Sequence, residues 1–137
     1  MESPQRYLAL FRQAPVMAAI LDVDGRILDV SDIWAARMGY SRAELLRRRP
    51  IELASAPSAR QIREQYIPRY RETGRLDRLA IEFVTRQGAN FEVFVTTTAE
   101  YGANGEFLYS LCVFAEVSDQ ALLERRYQDH YQSTPAM

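Results

Sequence analysis

"NFEVFVTTTAEYGANGEFLYSLCVFAEV", residues 90–117, predicts two long β-strands that are joined by a turn at "GANG". In the first strand, Phe91, Val93 and Val95 share one face, and Thr97 follows them on the same side. The second strand is apolar on both of its faces, so both faces should be covered by other parts of the structure. Long alternating strands of this kind favour an antiparallel sheet.

Three more strands and several helices complete the predicted domain. Residues 16–22 and 26–30 form a hairpin around Asp24-Gly25, and residues 75–86 form a strand before a tight turn. Caps, stops and apolar spacing predict helices over residues 5–14, 31–38, 41–49, 57–73 and 118–132. Pro68 should kink the fourth helix, because its ring displaces one backbone hydrogen bond. The order predicts an α+β fold with a five-stranded antiparallel sheet, short helices on one face and flanking N- and C-terminal helices.

The chain is divided here into three parts: an N-terminal flanking helix (1–15), a central domain (16–117) and a C-terminal helix (118–137). Residues 126–137, "RYQDHYQSTPAM", repeat the Arg, Tyr, Pro and Met of residues 6–17, "RYLALFRQAPVM", at the same offsets. Such self-similarity is typical of repeated units. The second copy stops where the first copy's opening strand begins. We therefore expect a fragment that is cut at the start of a second, similar domain.

The composition of the 137 residues is that of an ordinary globular protein, with 47% hydrophobic and 26% charged residues. The net charge is −1, so no global field draws the chain to nucleic acid or to anionic lipid. A single cysteine excludes an internal disulfide, and no apolar run is long enough to span a membrane. We expect a cytoplasmic chain that makes no direct contact with the membrane.

Catalytic motifs are absent from the sequence. There is one histidine, His130, and there is no nucleophile elbow, phosphate-binding loop or zinc-protease motif. One Cys and one His cannot supply a soft-metal ligand set. The three arginines at 47–49 are expected to be solvated at a helix end, where they suit the helix dipole. The sequence therefore predicts a non-enzymatic domain with no metal site.

The order of these elements resembles a PAS domain, the sensory module of bacterial signalling proteins. Residues 14–48 look like the opening half of the family, including Gly-Tyr-Ser before the capping-box helix that begins at Ser41. Residues 86–119 look like its closing half. The resemblance implies a sensor that controls an output domain in the same parent chain, either a diguanylate cyclase or phosphodiesterase, or a histidine kinase. The signal-relay segment that it implies is Glu116, Val117, Ser118 and Asp119.

Two departures from the family bear on cofactors. Residues 41–74 contain no cysteine, and the positions that match the strand amides of the flavin-type sensors are Phe83, Val93 and Phe114. The position that matches the haem-binding histidine is Arg63. We therefore expect neither haem nor covalently bound flavin, and we keep an unidentified small molecule as the candidate ligand. Cys112 is interpreted as a packed apolar residue.

A ligand pocket is predicted on the helical face of the sheet. Its expected wall is mostly apolar, two hydroxyl groups are available to a ligand, and Arg63 is the charged group if the ligand is acidic. The predicted pocket residues are Trp34, Met38, Arg63, Ile81, Phe83, Val93, Val95, Thr97, Ser110, Cys112 and Phe114. The alternative is that these side chains fill the core, which would make the chain a ligand-free protein–protein interaction and dimerisation domain.

A homodimer is predicted from the surplus of apolar surface on the other face. The N-terminal helix could cover the last strand in its own chain or in a partner, and the C-terminal helix adds an apolar line at Leu123, Tyr127 and Tyr131. The predicted interface residues are Tyr7, Leu8, Leu10, Phe11, Phe94, Tyr109, Leu111, Val113 and Ala115.

Overall fold

The computed structural model of the protein describes residues 4–117. Its centre is a five-stranded antiparallel sheet with the strand order β2-β1-β5-β4-β3. The strands are β1 (Met17–Leu21), β2 (Ile27–Val30), β3 (Arg75–Val84), β4 (Asn90–Tyr101) and β5 (Phe107–Glu116). Strand β5 lies in the middle of the sheet, because it pairs with β1 on one side and with β4 on the other.

A helical layer connects β2 to β3 and covers one face of the sheet. Helix α1 (Pro4–Arg12) precedes the sheet, and the layer consists of α2 (Asp32–Met38), α3 (Arg42–Leu45), a 3-10 turn (Pro50–Leu53), α4 (Ala56–Gln61), a π-helical turn (Ile62–Tyr66) and α5 (Ile67–Thr73). The predicted α+β class, the five-stranded antiparallel sheet and the one-sided helical layer are confirmed. No helix within residues 4–117 is long and apolar enough to cross a membrane. The predicted C-terminal helix and the second copy of the repeated segment, residues 126–137, lie outside the described residues.

Ser31 joins the first hairpin to the helical layer. Its hydroxyl oxygen accepts hydrogen bonds from the backbone amide of Ala18 on β1, at 2.9 Å, and from the amide of Trp34 in α2, at 3.4 Å. The Ser31 side chain is completely buried. The backbone of Ser31 is extended, as is usual for the residue that precedes a helix, and serine is a preferred N-cap because its hydroxyl accepts from an amide of the first turn. The cap therefore fixes where α2 begins and directs Trp34 under the sheet.

The sequence predicted that the arginines at 47–49 form the end of a helix. In the structure they lie in the segment that follows the helix. Helix α3 ends at Leu45, and the backbone of Arg47 takes a positive φ of 71°. The amide of Arg47 then donates to the carbonyl of Ile27, and the amide of Ile27 donates to the carbonyl of Arg48, both at 2.8 Å. This short segment pairs with backbone groups of the edge strand β2 that would otherwise lack partners. The pairing takes the place of a further helical turn.

The predicted single helix over 57–73 is divided into two α-helices by the π-helical turn. At the end of this turn the amide of Ile67 donates to the carbonyl of Ile62, five residues back. Pro68 follows directly, and a proline ring clashes with the carbonyl four residues before it. The wider turn relieves that clash without breaking the segment. The sequence located the distortion at Pro68 and missed its form.

Aromatic side chains fill the part of the core beneath α2. Trp34 stacks on Phe114 with ring centroids 4.9 Å apart, and Phe83 meets the Phe114 ring edge-on at 5.1 Å. Phe91 extends the group from β4, at 5.9 Å from Phe83. The indole N–H of Trp34 has no hydrogen-bond partner among residues 4–117, so packing holds the ring in place. This end of the core is closed.

Helix α1 is attached to the sheet through one buried carboxylate. The Arg12 guanidinium donates to Asp29 on β2 at 3.0 Å, and Arg42 donates to the same carboxylate at 3.1 Å. Only 6% of the Asp29 side chain is exposed. Arg42 also donates to the carbonyl of Val30. Because two guanidinium groups share Asp29, the carboxylate keeps a partner even when α1 moves.

Replacing Ser31 with Ala should destabilise the domain by about 1–3 kcal/mol, because the buried amide of Ala18 loses its acceptor. The exposed cap Ser41 provides the matched control, since its hydroxyl also accepts from an amide three residues on. Ser41→Ala should cost about 1 kcal/mol or less. Urea unfolding followed by circular dichroism measures both variants. Equal losses would show that the Ser31–Ala18 bond adds nothing beyond helix capping.

Candidate functional site

A cavity of about 790 Å³ lies between the sheet and the segment that runs from the 3-10 turn to α5. It reaches the surface, since exposed residues such as Arg63 and Tyr101 form its rim. The described residues that line it are 21–25, 49–52, Ala59, Ile62, Arg63, Tyr66, Ile67, Tyr70, Arg71, Gly74, Leu76, Ile81, Val95, Thr97, Ala99, Tyr101, Phe107, Ser110, Cys112 and Phe114. A space of this size accommodates a small organic molecule.

The helical wall of the cavity is built on a repeat of four residues. Ile62, Tyr66 and Tyr70 all line the space, and Gly74 ends the series. An α-helix has 3.6 residues per turn, so a four-residue repeat drifts round its surface by about 40° each turn. The π-helical turn at 62–66 is wider and counteracts this drift. The distortion therefore keeps the stripe directed at the sheet.

Two hydrogen bonds place hydroxyl groups at the cavity wall. The hydroxyls of Tyr70 and Ser110 are bonded to each other across the space between α5 and β5. Tyr66 donates to the carbonyl of Ala80 on β3 at 2.9 Å. Burial raises the pKa of Tyr70, so its hydroxyl remains protonated and can act as donor or acceptor.

Cys112 lies on the sheet side of the cavity. Thr97 donates a hydrogen bond to its sulfur at 3.4 Å. Burial raises the pKa of the Cys112 thiol to about 11, and the Thr97 bond opposes that shift only in part. The protonated thiol is a poor nucleophile and a poor metal ligand. No group of three or more His, Cys, Asp or Glu side chains suited to a metal occurs within residues 4–117.

The structure places the predicted pocket residues in two groups. Seven of them line the cavity: Arg63, Ile81, Val95, Thr97, Ser110, Cys112 and Phe114. The other four, which the sequence also assigned to the pocket wall, are fully buried in the closed core: Trp34, Met38, Phe83 and Val93. The reason is the aromatic packing beneath α2, which leaves no space at that end of the sheet.

Much of the cavity wall was missed from the sequence. Tyr66 and Tyr70 are not among the predicted pocket residues, although they line the space. The rim at residues 21–25 and 49–52 comes from loops, whose positions depend on tertiary contacts. A tyrosine repeat facing strands with Ser and Thr on the inner face was the available signal.

The first half of the predicted relay segment is held at two points. The Arg37 guanidinium at the end of α2 donates to both oxygens of Glu116, at 3.1 and 2.8 Å, and this bond lowers the pKa of Glu116. The amide of Val117 donates to the carbonyl of Glu92 on β4. Ser118 and Asp119 lie outside the described residues.

The predicted interface residues lie on the face of the sheet opposite the cavity and on α1. On the strands, Leu111, Val113, Tyr109 and Phe94 are half-buried, and Ala115 is exposed. On α1, the exposed fractions are 60% for Tyr7, 41% for Leu8 and 56% for Leu10, while Phe11 is half-buried. The apolar side chains of α1 thus remain largely uncovered within residues 4–117.

The sheet order and the one-sided helical layer with a cavity beneath it define an α+β domain with helices on one face of an antiparallel sheet. Residues 5–117 match the model of the PAS fold, and the chain belongs to this family. The resemblance inferred from the sequence is confirmed.

Relatives of known kind agree with this assignment. The chain is 26% identical over 133 residues to the nitrogen fixation regulatory protein of Klebsiella pneumoniae, covering 94% of this chain and 26% of that protein. The crystal structure of a PAS domain from Colwellia psychrerythraea superposes with a TM-score of 0.71 at 16% identity, over 82% of this chain and 95% of the other. An RNA-binding light-oxygen-voltage receptor gives 0.78 at 15% identity, over 94% of this chain and 37% of that receptor. The chain thus spans about a quarter of the regulatory protein, and as a PAS domain it is a sensory and signalling module.

Raising the pH from 9 to 11 should destabilise the native domain by about 2 kcal/mol more than it destabilises Cys112→Ala. The folded state holds the thiol proton more tightly than the unfolded state does. The stability from this group is therefore complete below pH 9 and is lost as the pH rises through the folded pKa. Urea unfolding at a series of pH values gives the difference in slope. Parallel curves for the two proteins would contradict the burial of the thiol.

Proposed function

We propose that this chain is the sensory PAS module of a bacterial signalling protein, which binds a small molecule in the cavity and passes the change to an output domain. The observation that carries this proposal is the position of β5. Ser110, Cys112 and Phe114 line the cavity, and the same strand ends two residues later at the tethered Glu116. A ligand therefore contacts the strand that leads out of the domain.

The relay has a physical basis in the contacts of Glu116. Strand β5 is paired on both sides, so it shifts together with its neighbours rather than alone. Movement of the sheet against the helical layer changes the distance between Arg37 and Glu116, because the two belong to different layers. We propose that the relay segment, to which Ser118 and Asp119 belong, carries this change onward to the output domain. A ligand biases an equilibrium between two positions of the sheet only if it binds one position better.

The output is proposed to be a diguanylate cyclase or phosphodiesterase, or else a histidine kinase, in the same parent chain. The similarity to a nitrogen fixation regulatory protein supports a regulatory output of some kind. The module itself is proposed to be non-catalytic and cytoplasmic, and residues 118–137 to lead into a second similar domain. We do not assign it a nucleic-acid partner, because its net charge is −1.

We propose that the cavity binds neither haem nor flavin. None of the described lining residues is His, Asn or Gln, so they contain neither the histidine that the resemblance implies for haem-type sensors nor an amide edge for a flavin ring. The thiol of Cys112 is protonated and buried on a strand, which disfavours a covalent adduct. We therefore propose a colourless small molecule as the ligand.

The second candidate is a ligand-free interaction and dimerisation domain. It is favoured by the exposure of Tyr7, Leu8 and Leu10 on α1, next to a sheet face that carries Leu111 and Val113. Such apolar surface is typical of a protein interface. Dimerisation itself is compatible with a ligand in the cavity, since the cavity and this surface lie on opposite faces of the sheet.

Filling the cavity should remove the ligand. Ala99 lines the space on β4, whereas its neighbour Thr98 lies on the opposite face. We expect native mass spectrometry of the purified domain to show a bound small molecule that is lost in Ala99→Phe and kept in Thr98→Phe. The sample should not absorb visible light. A bare polypeptide mass for the native protein would favour the ligand-free alternative, and a visible band would contradict the rejection of haem and flavin.

Replacing Leu111 and Val113 together with Glu should convert a homodimer into monomers. The reason is that four carboxylates would be buried near the two-fold axis without partners. Light scattering at high micromolar concentration measures the mass, and circular dichroism verifies folding. Leu28→Glu is the control, because Leu28 is 53% exposed on the edge strand β2. A monomeric native protein would rule out the dimer.

A further inference from the structure

The inner part of the cavity is apolar and removed from water. Leu76, Ile81, Val95, Cys112 and Phe114 line it, and each is at most 9% exposed. A charged group in such surroundings would lose its hydration without gaining a partner, which costs several kcal/mol. The part of a ligand that enters this space must therefore be neutral and largely apolar.

The rim, in contrast, carries cations that have no partners in the described part of the chain. Arg63 and Arg71 both line the cavity, and neither makes an ion pair or a side-chain hydrogen bond within residues 4–117. A third rim arginine, Arg49, donates through Nε to the carbonyl of Asp24. Guanidinium groups bind carboxylate, sulfonate and phosphate through paired hydrogen bonds.

The acidic groups of the rim are mostly engaged already. Asp22 accepts hydrogen bonds from the amides of Asp24 and Arg26, both at 2.9 Å. Glu52 accepts from the amide of Arg49 and pairs with Arg48. Asp24 is the one rim carboxylate with no partner among the described residues, against two free arginines. When Arg48, the partner of Glu52, is counted with the lining residues Arg49, Arg63 and Arg71, the opening carries four arginines against the three carboxylates of Asp22, Asp24 and Glu52, and its formal charge is positive.

We propose that the cavity selects an amphipathic organic anion, a small molecule with an apolar body and one anionic group. The apolar body lies against β4 and β5, and the anionic group is held at the rim by Arg63 and Arg71. The hydroxyls of Tyr70 and Ser110 lie between these regions and accommodate one polar atom of the body. The inference rests on the proposed function, since it names the ligand class for the same cavity.

A pair of fluorescent probes separates charge from shape. 8-Anilinonaphthalene-1-sulfonate and N-phenyl-1-naphthylamine share one aromatic body, and only the first carries a sulfonate. Trp34 is the single tryptophan of the chain and stacks on Phe114, which lines the cavity. Energy transfer from Trp34 reports a probe that is bound to the domain, and its loss for both probes in Ala99→Phe would assign that binding to the cavity.

The native domain should bind the sulfonate at least about tenfold more tightly than the neutral probe. Arg63→Gln combined with Arg71→Gln should remove that preference and leave the affinity for the neutral probe unchanged. Arg69→Gln combined with Arg75→Gln is the matched control, because these arginines are exposed and lie outside the cavity lining. It should behave like the native protein.

The two possible failures are distinct. Equal affinities for the two probes, or an unchanged preference in the Arg63/Arg71 variant, would overturn the anion proposal and leave the cavity as a ligand site. Absence of energy transfer to either probe would overturn both this inference and the proposed function. A loss of preference in the control variant equal to that in the Arg63/Arg71 variant would assign the effect to general surface charge and would also overturn the anion proposal.

Discussion

The hydroxyl of Ser31 is the constraint on which the arrangement of the core depends. It accepts a hydrogen bond from the amide of Ala18 in the hairpin, and it also accepts from the amide of Trp34 and so begins α2. Trp34 is thereby directed beneath the sheet, where Phe83 and Phe114 complete its packing. One end of the sheet is filled as a result. The other end, beneath the π-helical turn and α5, keeps the space that forms the cavity.

Pro68 determines the shape of the second half of the helical layer. A regular helix would carry the tyrosine stripe away from the sheet, and the carbonyl of Glu64, four residues before Pro68, would clash with the proline ring. The π-helical turn keeps the tyrosine stripe directed at the sheet and also relieves the clash with the proline ring. Such turns are frequent at functional sites, where they direct side chains that a regular helix would misplace. The cavity lies between this segment of the helical layer and the sheet.

Periodicity and helix caps were sufficient to predict the strands, their antiparallel direction and the one-sided helical layer, because alternation and caps are local properties of the sequence. Periodicity also selected six of the predicted residues that line the cavity, since those on β3, β4 and β5 share the inner face, whereas Arg63 was named from the family resemblance. It could not separate Phe83 from Ile81, which share that face and lie two residues apart. Only the position of α2 decides that Phe83 is enclosed by Trp34 while Ile81 borders open space. The arginines at 47–49 and the form of the distortion at Pro68 depended on tertiary pairing in the same way.

Phe114 connects the closed and open halves of the core, because one side of its ring stacks on Trp34 while the residue also lines the cavity. Close-packed interiors respond to pressure by shifting whole elements rather than by compressing. A ligand that pushes on Phe114 therefore acts against α2 through Trp34, and Arg37 lies at the end of that same helix. In the proposed relay, the Arg37–Glu116 pair would then receive the displacement from both partners, through α2 and through β5. An exposed ion pair of this kind contributes at most about 1 kcal/mol, so a small difference in ligand affinity between two positions is enough to shift it.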